Sequence, residues 1–307
     1  MSEKIVVIGS SNVDMIMKMD RLPKRGETVT DADFMQVFGG KGANQAVSAA
    51  RAGGNVVFVN CVGDDAFAPV MVKNFEKDGM DTRYVFKETG VASGTALIMI
   101  GDAGDNCISV APGANYRLTP AYIDQIKDEI AAAEIVVMQY EILEETITYV
   151  LDYCRKIGKP TLLNFAPARA FDLSYFKGLT YLVVNESETE FLCGINPDGD
   201  ENTEKAAKAL QQLGPEKVII TLGVGGSYIL DGDKAIRVSA FDVEAVDTTA
   251  AGDVYCGSLA VAIVEGKSLK EAVKFASAAS ALAITKMGAQ PSAHKRTEID
   301  AFLKERG

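Results

Sequence analysis

The sequence is short of the residues on which most enzyme chemistries draw. It contains one histidine in 307 residues, His294, followed by Lys295 and Arg296 in a stretch expected to lie solvated on the surface. Histidine dyads, triads and histidine-rich metal sites therefore lack their material. The five cysteines, Cys61, Cys107, Cys154, Cys193 and Cys256, form no Cys-x-x-Cys pair and no metal-ligand spacing, so reduced thiols and a cytoplasmic setting are expected. Basic residues are also in deficit: 31 Lys and Arg stand against 42 Asp and Glu, a net charge of -11. Such a surface repels phosphate backbones and anionic lipid, which argues against nucleic-acid and membrane partners. No apolar run reaches the roughly 18 residues of a membrane span. Met1 to Lys4 lead directly into the apolar run Ile5 to Ile8, so no leader peptide is expected. Any phosphate chemistry must come from a local site.

What is present is a regular alternation. Short apolar runs at 5–8, 56–62, 135–138, 161–164, 181–184 and 217–222 read as buried strands. Segments of helical period lie between them, at 42–52, 66–78, 120–133, 145–157, 186–192 and 203–213. Gly158-Lys-Pro160 and Gly214-Pro215 end two of these helices. The pattern predicts an α/β protein with a mostly parallel sheet and helical crossovers, and the length allows two domains or one large α/β unit. Two regions depart from it. Strands at 13–19 and 34–38, and a pair at 94–100 and 107–111 across the turn Gly101 to Asp105, are expected to form one small antiparallel sheet outside the main body. These lid segments, about 13–38 and 94–111, carry Met15, Met17, Met19, Phe34, Met35 and Phe38. A sheet too small to bury both faces should cover a site or meet a partner.

Three segments carry candidate chemistry. Asp247-Thr-Thr-Ala-Ala-Gly-Asp253 lies between a strand-like 240–246 and an apolar helix at 254–265. Small residues at a helix start let an anion approach free N–H groups, and the helix dipole favours the charge. Asp253 either accepts a hydroxyl proton during phosphoryl transfer or is simply an acid favoured in a first helical turn. Gly39-Gly-Lys-Gly-Ala-Asn-Gln-Ala46 is a second glycine turn feeding a helix. It lacks Walker A spacing, and Gly9 is not followed by the dinucleotide-binding spacing. With Asn12 and Asp14 at the end of the first strand, Lys41 and Asn44 offer paired donors and acceptors suited to vicinal sugar hydroxyls. Thr221-Leu-Gly-Val-Gly-Gly226 and Asn185-Glu-Ser-Glu188 sit at the ends of two further strands, where glycines admit a nucleotide and carboxylates act near phosphate through Mg2+.

In this order, from Gly9-Ser-Ser-Asn-Val-Asp14 to Gly288-Ala-Gln-Pro-Ser292, the segments resemble the ribokinase branch of the ribokinase-like carbohydrate kinases, the PfkB type. The resemblance implies a single domain over 1–307, a three-layer fold with a small β-sheet lid, and transfer of phosphate from ATP to the 5-hydroxyl of a pentose such as ribose. It implies that Asn12, Asp14, Gly40, Lys41, Asn44 and Glu141 hold the sugar, with Asp253 as the catalytic base also touching it. The amides of Ala250, Ala251 and Gly252 would form the anion hole. Asn185, Thr221, Gly223, Gly225, Gly226, Gly252 and Ser277 would contact ATP, and Glu188 would reach Mg2+ through water. A monovalent cation, K+, would take Asp247, Thr249, Ala283, Lys286, Gly288 and Ser292, mostly through main-chain oxygens. A homodimer through the lid is expected. Other readings are a kinase of 2-deoxyribose, a nucleoside or a hexose derivative, or a sugar-binding regulator without catalysis.

Overall fold

A computed structural model describes residues 3–103 and 105–306. The chain opens with β1 (Lys4–Ile8), β2 (Asn12–Met19) and β3 (Asp33–Gly39), then α1 (Lys41–Arg51), β4 (Asn55–Val62), α2 (Ala68–Lys77) and β5 (Asp81–Lys87). It continues through β6 (Gly94–Gly101), β7 (Asn106–Ala111), α3 (Pro120–Asp124), α4 (Lys127–Ala132), β8 (Ile135–Gln139), α5 (Glu144–Ile157) and β9 (Thr161–Asn164). The last part holds β10 (Tyr181–Val184), α6 (Glu186–Cys193), α7 (Gly199–Gln212), β11 (Lys217–Thr221), β12 (Ser227–Asp231) and β13 (Lys234–Val238). Three helices close it: α8 (Ala251–Val264), α9 (Leu269–Ile284) and α10 (Arg296–Arg306).

Nine strands form one sheet in the order β13-β12-β11-β10-β9-β8-β1-β4-β5. The pairs from β5 to β11 are parallel, and only β12 runs the other way, antiparallel to both β11 and β13. Strands β1, β8 and β9 are buried along nearly their whole length because helices cover both faces, as parallel strands require. Alternate residues feed two cores. Ile5, Val7 and Val137 face a layer with α1, α8 and α9, and Val6, Ile8 and Val136 face one with α5 and α7. The C-terminal ends of β1, β8, β9, β10 and β11 open on one edge of the sheet, where α/β proteins place ligands.

A second sheet, ordered β3-β2-β6-β7, stands on that edge. It is not wholly antiparallel as expected. β2 and β6 run parallel, because the chain between them passes through β3, α1, β4, α2 and β5, and no tight turn fixes their direction. Gly104, in the expected β6–β7 turn, and Met1 and Ser2 at the start lie outside the described residues. Val13, Met15 and Phe38 pack on the main core, whereas Met17, Phe34, Leu97, Ile108 and Val110 stay exposed.

Other expectations are corrected. Residues 240–246 form no strand; β12 and β13 close that edge of the sheet instead, and Val246 and Asp247 both donate N–H groups to the Ile284 carbonyl. The single helix expected at 120–133 breaks into α3 and α4 at Ile126, whose non-helical backbone accompanies complete burial of its side chain. Strands β5, β12 and β13 were not expected, although Gly232-Asp233 between the paired Asp231 and Lys234 is the Gly-Asp signal of a two-residue hairpin. His294 is half-buried, with Nδ1 enclosed, rather than solvated. All five cysteines are free thiols.

Candidate active site

The segment 248–253 makes a turn and then a helix. Ala251 donates its N–H to the Thr248 carbonyl at 3.2 Å, and Ala250, third in that turn, takes φ 60 and ψ 9. This is the one non-glycine residue with positive φ among the described residues. α8 then starts with no side-chain cap. The Ala251 amide expected in the anion hole is thus engaged in the turn, and the N–H groups of Ala250, Gly252 and Asp253 have no backbone acceptor among the described residues. They border a cavity of about 210 Å³. Open amides at a helix start, with small side chains around them, form an anion site.

Asp253, one residue further on, is 5% exposed. Its Oδ2 accepts from Asn44 Nδ2 at 2.9 Å and its Oδ1 from Gln45 Nε2 at 3.0 Å. A carboxylate offers about four acceptor sites, so both oxygens can still take a hydroxyl. Lys41, Asn185, Glu188, Thr221, Ala250, Ala251, Gly252 and Asp253 therefore meet at one cavity, as the sequence led us to expect. Asp253 foremost, with Glu141 and Glu188, raises the Lys41 pKa against the burial that would lower it, so the ammonium stays charged. Burial pushes Glu188 up to about 6, with the Asn185 N–H and Lys41 opposing. Cys256, also on the cavity wall, is pushed far up by burial and is no thiolate nucleophile.

Beside the cavity lies the expected sugar cluster. Gly40, at φ 87, starts α1 against the backbone of Ser11, where a Cβ would stand 2.7 Å from the Ser11 Cα. The Asp14 carboxylate lies over Gly39, whose missing Cβ would sit 2.1 Å from Oδ2. Burial, then Glu141 and Asp253, pushes Asp14 up to about 6. Asn44 Oδ1 is buried with no partner, an acceptor left for a ligand hydroxyl. Glu141 also ties two segments together, since its Oε2 accepts the Lys41 N–H at 2.9 Å and the Ser10 hydroxyl at 2.6 Å.

On the opposite side, Asn185 and Glu188 form a reciprocal capping box at the start of α6. The glycines Gly223, Gly225 and Gly226 make the turn after β11, next to Thr221 but outside the cavity wall. Ser277 is buried in α9, also outside it. Asp247 accepts N–H groups from Thr249 at 2.9 Å and Gly288 at 2.8 Å. Burial works to raise its pKa, but these bonds hold the carboxyl below its ordinary range. The Ala283 carbonyl accepts the Lys286 N–H at 3.1 Å, and the Ser292 hydroxyl donates to the Ala289 carbonyl at 2.7 Å. Among the described residues no three His, Cys, Asp or Glu side chains cluster as a metal site, so a divalent ion would depend on substrate phosphates as well as Glu188.

Sequence reading missed a layer of buried amides beneath the site. Asn115 Nδ2 donates to Asn12 Oδ1 at 2.8 Å, its Oδ1 accepts the Ser11 N–H at 2.9 Å, and Asn60 Nδ2 donates to the Gly9 carbonyl at 2.9 Å. Gln139, Gln45 and Asn164 form a second chain. Asn60 and Gln139 interrupt apolar strands, and a polar residue there needs a partner, which was the available signal.

Against known proteins, residues 2–296 match the profile of the pfkB family carbohydrate kinases. The chain belongs to that family. It is 40% identical to the ribokinase of Bacillus subtilis over 97% of this chain and 99% of that one. The deoxyribokinase of Salmonella typhimurium is 36% identical over 97% and 98%. The structure of Arabidopsis thaliana ribokinase complexed with ribose and ATP superposes with a TM-score of 0.94, at 32% identity over 99% of both chains.

Proposed function

We propose that this carbohydrate kinase transfers the γ-phosphoryl group of ATP to the 5-hydroxyl of D-ribose, giving ribose 5-phosphate and ADP. The observation that carries the reading is Asp253: a buried carboxylate on the third residue of a helix with an open N-terminus, joined to Asn44 of the proposed polyol-binding cluster. A bond forms between the sugar oxygen and the γ-phosphorus, the bond from that phosphorus to the β–γ bridging oxygen breaks, and the hydroxyl proton passes to Asp253. The transition state is loose, so alignment and charge stabilisation supply most of the rate. Lys41 and the open amides of Gly252 and Asp253 face the transferred phosphoryl group. Glu188 would hold Mg2+ through water, and a divalent ion there would supply positive charge near the transferring phosphates. K+ would bind by Asp247 and the 283–292 carbonyls and hold the adjoining turn; replacing it with a bulky organic cation at matched ionic strength should lower the rate.

A coupled ADP assay across ribose, 2-deoxyribose, hexoses and nucleosides tests the acceptor, and turnover fastest on ribose is expected. Deoxyribose is the second reading, since one relative bears that name. A silent sugar-binding regulator is disfavoured by Asp253 and the open amides, and ribose-stimulated ADP release would dispose of it. The exposed residues Met17, Phe34, Leu97, Ile108 and Val110 of the lid favour a homodimer, in which a second copy covers them. A monomer mass by light scattering at micromolar concentration would count against it.

A further inference from the structure

Gln45 follows the sugar-site Asn44 but turns away from the cavity, and its side chain is fully buried. Its amide is almost fully used. Nε2 donates to Asp253 Oδ1 at 3.0 Å and to Asn164 Oδ1 at 3.0 Å, while Oε1 accepts from Gln139 Nε2 at 2.7 Å. The direction of this chain follows from a backbone group that can only accept. Asn164 Nδ2 lies 3.3 Å from the Val183 carbonyl, so it must donate there, which turns Asn164 Oδ1 toward Gln45. Gln45 must answer with its nitrogen, and Gln139 must then present its own nitrogen to Gln45 Oε1. Turning the Gln45 amide over would set its oxygen against a carboxylate oxygen and an amide oxygen at once. Asn44, the other donor to Asp253, has no such lock, since its Oδ1 is unpartnered.

We infer that Gln45 is a positioning residue for the proton acceptor: anchored through Asn164 and Gln139 to the ends of β9 and β8, it fixes the plane of the Asp253 carboxylate. The inference rests on the reading of Asp253 as the base. The two oxygens divide the work. Oδ1 is held by a donor no substrate can reach, and Oδ2 is held by Asn44, which can regroup around a sugar hydroxyl. A hydrogen bond to the charged form favours ionisation. The charged groups facing Asp253 are Lys41 from α1, Asp14 from β2 and Glu188 from α6. Glu141, which faces Asp14 and Lys41, and the neutral thiol of Cys256 complete the surroundings.

The test uses Gln45→Met, Gln45→Glu and Gln139→Met in the full chain. Two readouts are compared: the pH profile of kcat, and the carboxyl titration of Asp253 followed by carbon NMR without substrate. Gln45→Met should lower kcat about 10- to 100-fold with the ribose KM changed less than about threefold, because a positioned base is lost while the sugar contacts remain. Gln45→Glu sets a carboxylate against Oδ1 and should raise both the Asp253 titration and the acid limb of kcat by about one pH unit or more. Gln139→Met breaks the same bond to Gln45 but spares the donor to Asp253. A merely structural role predicts similar stability losses in Gln139→Met and Gln45→Met with the Asp253 titration unmoved in both. An Asp253 titration unchanged in folded Gln45→Met overturns the inference, whether or not Gln45→Glu folds. Should the wild type not phosphorylate ribose, the functional reading fails, and the substrate-free titration still decides the role of Gln45.

Discussion

Two helices point their N-termini at the same site, and they treat their free amides in opposite ways. At α1 the protein fills them itself: Glu141 accepts the Lys41 N–H, the Ser10 hydroxyl accepts from Gly42 at 3.2 Å, and the Ser10 carbonyl accepts from Ala43 at 2.7 Å. At α8 only the Ala251 N–H is used, in the turn that sets up the helix. Both starts are glycine- and alanine-rich, so composition does not separate them. The difference is whether a carboxylate from elsewhere reaches the helix end. The closed N-terminus carries Lys41, Asn44 and Gln45, and the open one leaves its amides free at the cavity for the phosphate proposed to bind there. Capping groups are therefore placed where geometry must be kept and withheld where charge must be bound.

The largest break in this contrast is at the open end. Asp253→Asn removes the proton acceptor, and kcat should fall about 10²- to 10⁴-fold, roughly 3 to 5 kcal/mol of barrier. The fold should survive. The new amide nitrogen faces one of the two donors now bonded to Asp253, and Asn44 can turn over to meet it because its Oδ1 has no partner. Single-turnover rates with the variant at saturating ATP and ribose test this; a loss within about threefold would remove Asp253 from the chemistry.

Next in size is Asp14, which lies against the closed end. Its folded pKa of about 6 lies above the ordinary value of 3.8. The native state therefore binds more protons than the unfolded chain between those values, and stability falls as pH rises through that window. Asp14→Asn removes the penalty and should stabilise the protein at pH 7 by up to about 3 kcal/mol, the upper bound set by a shift of this size. Urea midpoints at pH 4 and pH 7 should show the gain at the higher pH only. Sugar binding should suffer in exchange: ribose KM should rise in the variant, and in the wild type as pH drops below about 6.

Glu141→Ala would free one of the three filled amides of the closed N-terminus, the Lys41 N–H, and leave the two held by Ser10. Losing a helix-end acceptor costs about 1 to 2 kcal/mol, and denaturant titration should find it. Because Glu141 also raises Asp14, the variant should move the acid rise in ribose KM to lower pH. Stability lost with that profile unmoved would mean that Glu141 closes the helix without acting on the sugar site.

Much of this contrast was legible in the sequence, but not its decisive part. The strands β1, β8, β9, β10 and β11 are continuous apolar runs, and their ends fix where a site must lie. Gly39 to Ala46 and Asp247 to Asp253 stand out by composition, and the cavity gathers Lys41 and 250–253. Hidden were features that depend on distant pairing. Glu141 lies 100 positions from the N–H it fills, and Gln45 lies 208 from Asp253. Residues 240–246 misled because an alternation that fits a strand also fits an irregular segment that packs Phe241 on Phe302 of α10 and ties Val246 to the end of α9. β5 was passed over because it is an edge strand whose exposed side carries polar groups, including Arg83.

The smallest expected effect comes from the turn that keeps the α8 N-terminus open. A left-handed backbone costs an L-residue about 1 to 2 kcal/mol, and Ala250 holds it at φ 60. Ala250→Gly relieves that strain but frees the unfolded chain by about 0.4 to 1 kcal/mol. The net gain should be at most about 1.5 kcal/mol, roughly 2 °C in Tm for a chain of this size. Gly252→Ala is the reciprocal change. A Cβ there meets nothing within 4 Å, so the fold accepts it, and the first turn of α8 should gain up to about 1 kcal/mol of helix propensity. Its methyl group, however, borders the cavity that the phosphoryl group must enter. The pair thus separates two properties of one turn: Ala250→Gly should alter stability slightly with ATP KM nearly constant, and Gly252→Ala should raise ATP KM while leaving the protein no less stable. If Ala250→Gly instead raises ATP KM and Gly252→Ala does not, the open amides of α8 are not the phosphate site.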